Sequence, residues 1–400
     1  MEAYLQEWLS LLLRWAHFIT GVAWIGASFY FNWLENHLER QHAEGGIAGD
    51  LWAVHGGGFY YLQKYQVAPE RLPANLHWFK WEAYFTWITG FLLLCTVYYW
   101  NAGIFMVDSR VADLSSLQAV FIGLVSLLLS WLFYDGLCRS PLVRKQALTA
   151  LLIFVWFALL SWLLSQYLSG RAAFIHVGAA IGTIMVANVL FVIIPSQKDL
   201  VDAVKEQRKP DAQKGKNALT RSRHNNYFTL PVLFIMISNH YAGTFAHPAN
   251  WLVLLVISVA GVGIRHWFNV RHLEKHSALV LPLALLILAA LIFALRPQIK
   301  PGPDRLDEPD FPSTGQVMSV IQARCVTCHA AEPDHAGFAA APLGVLLDQE
   351  EAVEMQDLII FNAVVIKQSM PLANATSMSD EERELIARWY AGRMQKPRTR

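Results

Sequence analysis

LTALLIFVWFALLSWLLSQY, residues 148–167, runs for twenty positions without a charged side chain. An α-helix rises about 1.5 Å per residue, so about 20 apolar residues cross the hydrocarbon core of a bilayer. The chain contains eight apolar runs bounded by Pro, Gly or charged residues, at roughly 8–33, 82–100, 115–134, 147–167, 173–195, 228–247, 250–268 and 278–296. Residues 1–297 are therefore predicted to form an eight-helix transmembrane bundle, with a tight or re-entrant turn at HPAN, residues 247–250.

The composition agrees with a polytopic membrane protein. Of the 400 residues, 54% are hydrophobic and 16% are charged, and the mean hydropathy is +0.32. Soluble domains carry about 25% charged residues. The net charge of +1 identifies no partner, and nothing supports nucleic-acid binding. Two of the four cysteines, Cys95 and Cys138, lie in apolar surroundings, which favours buried thiols over a disulfide.

Lys and Arg residues are distributed unequally between alternate connections, and this predicts the orientation in the membrane. Eighteen lie on one side and two, Arg110 and Arg171, on the other. Because basic residues are retained in the cytoplasm, both termini are predicted to face outward. The first run is expected to be a retained helix and not a cleaved signal peptide. The eighteen are Arg40, Lys64, Arg71, Lys80, Arg139, Arg144, Lys145, Lys198, Lys205, Arg208, Lys209, Lys214, Lys216, Arg221, Arg223, Arg265, Arg271 and Lys275.

The character of the chain changes after Arg296. Residues 298–312 are Pro-rich and polar, which predicts an extended linker. Residues 313–400 then form a small soluble domain that contains CVTCH, residues 325–329. In this motif Cys325 and Cys328 can form thioethers with the vinyl groups of a haem, and His329 can bind its iron. A zinc half-site or a redox dithiol is the alternative, but zinc needs a second ligand pair that this segment lacks.

A methionine is expected as the second axial ligand of this covalently attached c-type haem. MPLANATSM, residues 370–378, offers Met370 and Met378, and Met370, held by a following proline, is favoured. Met378 can instead pack in a core, and His335 is a third candidate.

The last predicted helix begins at Ser379. Ser379 as N-cap and Glu382 three residues later form a capping box, and Leu385, Ile386 and Trp389 form an apolar stripe. This helix is expected to pack across the segment before CVTCH. The whole fold is therefore predicted to be all-α, an eight-helix bundle followed by a small class I cytochrome c domain.

Three histidines lie at similar depth in the predicted bundle, in the outer third of the bilayer. They are His17, His176 and His240. Ionisable residues within a membrane are costly and are functional candidates. Two of the three are candidates to hold a b-type haem; the alternative is that each donates to a backbone carbonyl.

Polar and aromatic residues concentrate on the predicted cytoplasmic side. They lie in HGGGFYYLQKY (55–65), LHWFKWEAYFTW (76–87), RSRHNNYFTLP (221–231) and RHWFN (265–269). An interfacial belt explains the Trp and Tyr residues but not the clustering of Lys80, Glu82, His224, Asn225 and Asn226. Such a set suits a flat, anionic heteroaromatic ligand, with amide and cationic donors for its carbonyl oxygens.

Taken together, WAHFITGVAWIGASFYFNWLE (15–35), the stretches above, HNNYFTLPVLFIMISNHY (224–241) and the C-terminal CVTCH and MPLANATSM resemble the bacterial membrane-bound urate oxidase family. The resemblance covers essentially the whole chain. It implies oxidation of urate to 5-hydroxyisourate, with electrons passed through the haem of Cys325, Cys328, His329 and Met370 to a periplasmic cytochrome c or a terminal oxidase. Hydrogen peroxide is then not a product.

Within that resemblance, His224, Asn225 and Lys80 are interpreted as anion and carbonyl contacts, and Glu82 or His55 as the base for water attack. Two other functions are compatible with the residues: a quinol-linked cytochrome, and a transporter with an appended cytochrome. The first helix also resembles membrane protoporphyrinogen oxidases, which lack the C-terminal domain.

Overall fold

The computed structural model describes residues 2–41, 46–271, 278–296, 311–335, 337–338 and 340–395. Most of this part of the chain is helical, and it also contains two β-strands. The α-helices are α1 Glu2–His37, α2 Trp81–Leu94, α3 Ala102–Phe105, α4 Ser116–Arg139, α5 Gln146–Tyr167, α6 Gly170–Asn188, α7 Ile194–Lys205, α8 Ala212–Ser238, α9 Ala242–Phe245, α10 Asn250–Val270, α11 Val280–Ala294, α12 Thr314–Arg324, α13 Val326–His329, α14 Glu350–Met355, α15 Asp357–Ile360 and α16 Asp380–Gln395.

Three helices continue as π-helical segments and three short connections are 3-10 helices. The π segments are Cys95–Tyr99 after α2, Val189–Ile193 after α6 and Phe361–Ile366 after α15. The 3-10 segments are Pro141–Arg144, Pro342–Gly344 and Leu372–Asn374. A π turn changes the direction of the side chains around it and occurs often at functional sites.

Five helices within the described residues are long and apolar enough to cross a membrane: Tyr4–His37, Ser116–Arg139, Gln146–Tyr167, Gly170–Lys205 and Asn250–Val270. The remaining three predicted spans also fall on helices, but these are shorter or more polar. α2 has 14 residues before its π segment, α11 has 15, and α8 carries basic residues through its first half. The apolar run 228–247 is also interrupted, because α8 ends at Ser238 and α9 begins at Ala242.

The outer surface of the bundle is apolar, as a lipid-facing surface must be. Leu117, Phe121, Leu286 and Ile292 are 82%, 67%, 65% and 73% exposed. In water such a surface would be an aggregation hazard, whereas hydrocarbon solvates it. The exposed side chains therefore agree with a membrane protein.

Helix α6 forms the centre of the bundle and contacts α4, α5 and α8. It is the most buried long helix, and its small residues let neighbouring backbones approach closely. At Gly178 an added Cβ would lie 2.5 Å from a methyl of Ile235 on α8. Close packing of this kind is how helices associate when water does not drive their contact.

Residues 47–65 form an antiparallel hairpin, so the prediction of an all-α fold is wrong for this segment. Strand β1 is Ile47–His55 and strand β2 is Gly58–Tyr65, with His55 paired to Gly58. Gly56 and Gly57 have φ values of 58° and 79°, which only glycine adopts without strain. Gly56 and Gly57 therefore form the hairpin turn, and Gly58 begins β2. Lys64 of β2 forms an ion pair with Glu35 of α1.

The C-terminal segment has its own core, formed by α12 to α16. As predicted, α16 contacts α12, and the indole nitrogen of Trp389 donates to Thr314 at 3.2 Å. The predicted capping box is confirmed, since Ser379 N–H donates to Glu382 at 2.8 Å and Glu382 N–H donates to Ser379 Oγ at 3.3 Å. The proposed linker 298–312 lies almost wholly outside the described residues.

The C-terminal segment rests on one connection of the bundle. Leu372–Asn374 contacts α3, and an added Cβ on Gly337 would lie 3.0 Å from Ile104 of α3. This connection is joined in turn to the start of α6, because Ser169 N–H donates to the carbonyl of Met106 at 2.9 Å. The end of the bundle that includes residues 102–113 is called the C-domain end below, and the opposite end, which carries Arg139 and Arg144, is called the basic end.

Candidate functional site

A buried polar network joins α4, α6 and α8 near the basic end. Asn188 is its centre and is 0% exposed. Its Nδ2 atom donates to Tyr134 Oη at 3.0 Å and to Asn225 Oδ1 at 2.8 Å, while its Oδ1 accepts from Arg221 Nη1 at 3.0 Å. Buried amides are expensive unless they are paired, so these contacts fix the side chains of three helices relative to one another.

His224 is held at the edge of this network. Its Nδ1 atom lies 2.9 Å from Tyr134 Oη and 3.8 Å from Cys138 Sγ. Tyr134 Oη accepts from Asn188, and it can donate its own proton to Nδ1 of His224. In that tautomer the imidazole proton lies on Nε2, which can donate to a carbonyl oxygen or an anion.

Arg221 connects the network to a cation-rich pocket at the basic end. Its Nη2 atom donates to Asp135 Oδ1 at 2.7 Å, although the side chain is only 6% exposed. The pocket has a volume of about 720 Å³ and includes Cys138 in its wall. Five cationic side chains line it: Arg139, Arg144, Lys214, Lys216 and Arg221.

Two carboxylates offset part of this positive charge. Asp135 pairs with both Arg221 and Arg139, and Asp199 pairs with Lys214 at 3.1 Å. Within the described chain Arg144 and Lys216 have no acidic partner. The pocket therefore keeps an excess of positive charge beside exposed polar groups, which attracts an anion from the aqueous side.

A second polar cluster surrounds Asn226, one position further along α8. Its Oδ1 atom accepts from Arg265 Nε and from Asn269 Nδ2, both at 2.9 Å. The guanidinium carbon of Arg265 lies 3.9 Å from the ring centroid of Phe29. This cluster ties α8 to α10 and α1, and it explains why Asn225 and Asn226 point to different neighbours.

The structure does not bring the other three predicted site residues to this network. His55 is exposed beside the hairpin turn, and the Lys80 Nζ atom lies 5.4 Å from the ring of Trp81. Glu82 begins α2, and its Oε2 atom is buried with no hydrogen-bond partner among the described residues. No hydrogen bond or ion pair in the described chain joins any of the three to His224 or Asn225.

The three membrane histidines occupy different environments. His176 is 0% exposed, and its two ring nitrogens bond to Ala172 O at 2.8 Å and to Tyr99 Oη at 3.3 Å. His240 is exposed after the end of α8. His17 lines a cavity of about 420 Å³, whose wall includes neither of the other two. The similar depth of the three histidines in the membrane therefore does not bring them together at one site.

Cys325 lies between α12 and α13, and the other four CVTCH residues form α13. Cys325 is 8% exposed and, like Cys328, is a free thiol. The Nδ1–H of His329 donates to the carbonyl of Val345 at 2.9 Å, which leaves its Nε2 atom with an available lone pair. Metal-binding histidines are oriented by this kind of second contact.

Burial suppresses ionisation of the two thiols. It raises the pKa of Cys325 to about 12, and the nearby Cys328 adds to the effect. Burial also raises the pKa of Cys328, which is less enclosed. Both side chains are therefore neutral thiols at physiological pH in the chain as described.

The three candidate axial ligands also differ in surroundings. Met378 is 4% exposed within the C-terminal core, as its alternative interpretation predicted, whereas Met370 packs against that core and is half-buried. Arg383 donates to the carbonyl of Met370 at 2.9 Å. His335 accepts from the N–H of Gly337 at 3.1 Å. Met370 is thus the less enclosed of the two methionine sulfurs.

Sequence reasoning did not identify Tyr134, Asn188 or Asp135. Tyr134 and Asn188 lie in apolar runs and Asp135 directly follows one, and Asn188 is the only Asn in run 173–195. The sequence feature that could have identified Asn188 is an amide side chain within an apolar run, because polar groups in lipid need hydrogen-bond partners. Arg221 was counted for orientation but not as part of a site.

The described helices are compatible with a membrane protein whose polar centre borders a cation-rich pocket. The model of the urate oxidase N-terminal family matches residues 3–296, and the chain therefore belongs to that family. The family connects the chain with oxidoreductases that act on urate-like substrates. No curated protein and no solved structure matches the chain.

Proposed function

We propose that this protein oxidises urate to 5-hydroxyisourate at the cytoplasmic face of a bacterial inner membrane. We infer further that the electrons leave through a c-type haem on residues 313–400 to a periplasmic cytochrome c or a terminal oxidase. Family membership supports the substrate class. The observation that carries the proposal is the buried network of Tyr134, Asn188 and His224 beside a pocket lined by five cationic side chains.

The chemistry of urate fits this arrangement. Urate is a planar monoanion at neutral pH, and its volume suits a pocket of this size. Arg221 and the excess positive charge attract the anion. His224 does not line the pocket itself, but Cys138 of the pocket wall lies 3.8 Å from its Nδ1 atom. With Tyr134 donating to Nδ1, the Nε2–H of His224 would donate to a carbonyl oxygen of urate at that wall. Preorganised donors of this kind also stabilise negative charge that develops during reaction.

The reaction balances without molecular oxygen. Urate and one water give 5-hydroxyisourate, two protons and two electrons, with a new bond between the water oxygen and C5. The protons pass to water in the pocket, which borders the exposed residues Lys214 and Lys216. Because no oxygen is consumed, no hydrogen peroxide forms.

The residues of the C-terminal segment fit a covalently attached haem. Cys325 and Cys328 are unpaired thiols on one turn, His329 presents Nε2, and Met370 packs at the edge of an apolar core. Attached with His and Met as axial ligands, a haem provides one-electron transfer and not oxygen chemistry.

The contact of residues 372–374 with α3 also supports the proposed topology. That contact places the C-terminal segment at the C-domain end, where Arg110 and Arg171, the two minority basic residues, also lie. The cation-rich pocket lies at the basic end. Substrate would therefore be met on one side of the membrane and electrons released on the other.

The proposal is tested by adding urate anaerobically to washed membranes and recording the haem spectrum. We expect c-type haem to be reduced by urate in the parent protein and in His266→Ala, an exposed histidine near the same end. His224→Ala should retain its haem content but lose urate-dependent reduction. Equal reduction of the haem by urate in His224→Ala and His266→Ala would show that the His224 network takes no part in the reaction. Reduction of the haem by quinol but not by urate would favour the quinol-linked alternative.

A further inference from the structure

The cavity beside His17 lies between α1, α2, α6 and α8, away from the cation-rich pocket. His17 is fixed in it by α2. Its Nδ1 atom lies 2.9 Å from the carbonyl of Thr86 and 3.2 Å from Thr89 Oγ1. A carbonyl only accepts, so Nδ1 carries the proton and Nε2 has a free lone pair. No described residue bonds to Nε2, which is the arrangement of an imidazole ready to bind a metal.

The walls of the cavity leave room for a flat apolar group. Gly90 of α2 packs directly on the imidazole, since an added Cβ would lie 2.8 Å from His17 Cε1. Gly182 of α6 faces open space, with nothing within 4 Å of an added Cβ. Nearly all of the remaining lining is aliphatic or aromatic. A cavity volume of about 420 Å³ is within the range of cofactor sites.

One end of the cavity carries positive charge without a matching carboxylate. Arg14 lines it, one helical turn from His17. The Nε atom of Arg171, at the start of α6, donates to Asn239, which also lines the cavity, at 3.2 Å. Among the described residues neither arginine has an acidic partner. Arg14 lies within the first apolar run, where an unpaired charge is costly, so this end is suited to carboxylates of a ligand.

The cavity also lies between the two functional regions of the chain. At one end it is lined by Met185, whose carbonyl accepts from Asn225 of the polar network at 2.9 Å. At the other it is lined by Tyr98, whose ring centroid is 6.0 Å from that of Phe105. Phe105 belongs to α3, on which the C-terminal segment rests. A redox group in the cavity would divide a long electron path into two shorter ones.

We propose that this cavity binds a second haem non-covalently, with its iron on Nε2 of His17 and its propionates at Arg14 and Arg171. The electron-relay role rests on the proposed function, whereas the binding site itself does not. Each urate releases two electrons, so the iron would cycle between Fe³⁺ and Fe²⁺ twice per urate. A quinone would fill the apolar space but has no carboxylate for the arginines.

The test measures haem in the purified full-length protein. Acidified acetone removes non-covalent haem and leaves thioether-bound haem, and each is quantified from its pyridine haemochrome spectrum. We expect both kinds in the parent protein. His17→Ala should lower the extractable haem per chain by at least about tenfold and leave the covalent haem unchanged. His240→Ala, an exposed histidine outside the cavity, is the matched control and should retain both.

A second variant separates loss of the ligand site from loss of the fold. Gly182→Phe places a ring in the open space and keeps His17, so it should exclude the haem while covalent haem content stays normal. Gly26→Leu, on the outer face of α1 with nothing within 4 Å of an added Cβ, is its control. Added imidazole should restore extractable haem in His17→Gly.

The outcomes separate this proposal from the proposed function. Absence of extractable haem from the parent protein, or its retention in both His17→Ala and Gly182→Phe, would overturn the site. A quinone in solvent extracts of the parent that is lost from Gly182→Phe, without any b-type haem, would do the same. Extractable haem that depends on His17 in a protein that urate does not reduce would support the site and reject the urate chemistry.

Discussion

Asn188 shows how strongly one buried amide can constrain three helices. It is wholly buried and bonds to Tyr134, Asn225 and Arg221, which lie on α4 and α8. The first residue of the following π segment is Val189, and the widened turn sits directly beside this side chain. The network is thus built around a residue that binds no substrate in our proposal.

Asn188→Ala should therefore affect both stability and activity. It leaves Arg221 Nη1 and Asn225 Oδ1 without a partner, and each unsatisfied buried group costs about 1–3 kcal/mol. We expect a lower thermal unfolding temperature in detergent and a lower rate of urate-dependent haem reduction. Asn32→Ala removes only a bond to Ser28 within α1 and should change stability by less than about 0.5 kcal/mol. Equal effects of the two substitutions would contradict this account.

The thiols of CVTCH offer a residue-level test that depends on pH. The thiolate is the reactive form, and burial raises the pKa of Cys325 to about 12. In full-length protein made without haem attachment, iodoacetamide should modify Cys328 faster than Cys325. The Cys325 rate should rise about tenfold per pH unit from pH 8 upward, because the pH stays below the pKa.

Two controls define that experiment. In denaturant both cysteines should react at similar rates, since burial no longer separates them. In the protein with attached haem neither should react. Faster labelling of Cys325 than of Cys328 in the folded, haem-free chain would show that the described burial is wrong.

At the scale of elements, the connections of the bundle hold the charges that a substrate would meet first. The 3-10 segment Pro141–Arg144 and the first turns of α8 supply most of the cationic wall. Arg139 and Lys214 are paired with carboxylates, whereas Arg144 and Lys216 have no acidic partner in the described chain. The last two therefore contribute most to attraction of an anion.

The double substitution Arg144→Gln with Lys216→Gln should raise KM for urate about tenfold and leave kcat nearly unchanged. Each exposed charge is worth about 0.5–1 kcal/mol of binding, and neither contacts the His224 network. The difference from the parent should shrink as salt is raised toward about 1 M, where charges are screened beyond about 3 Å. Lys145→Gln and Lys205→Gln lie outside the pocket wall and serve as controls.

Among the elements, the C-terminal helix was predicted from the sequence and the hairpin was not. The cap at Ser379 and the packing of α16 on α12 followed from local chemistry and an apolar stripe. The hairpin at 47–65 did not, although GGG between aromatic residues is a turn signal. Apart from Gly49, no residue of either strand is buried, so the strands carry no clean alternation to distinguish them from a polar loop.

At the scale of the whole molecule, the orientation in the membrane determines which side supplies substrate. The charge count predicts that the hairpin and the cation-rich pocket are cytoplasmic. The end of α5 and the C-terminal segment should then be periplasmic. The arrangement places the two polar regions at opposite ends of the bundle.

Cysteine labelling tests this orientation directly. In intact cells, a membrane-impermeant maleimide should modify Gln166→Cys, exposed at the end of α5, but not Gln63→Cys, exposed on β2. After permeabilisation both should react, and the parent protein provides the background. The reverse pattern would invert the topology and place the cation-rich pocket outside the cell.

The sequence by itself determined the apolar helices, the unequal distribution of basic residues, the CVTCH motif and the last capped helix. These depend on neighbours along the chain, and local chemistry suffices for them. It also indicated His224 and Asn225, because polar residues at a helix end are visible as such.

Only the tertiary structure decided which polar residues meet. Tyr134, Asn188 and Arg221 are separated by tens of residues, and helix periodicity does not specify which helices become neighbours. The same holds for His17 and His176, which lie at similar depth but face a cavity and a packed core. Depth follows from counting residues along one helix, whereas the facing partner follows from how the helices pack.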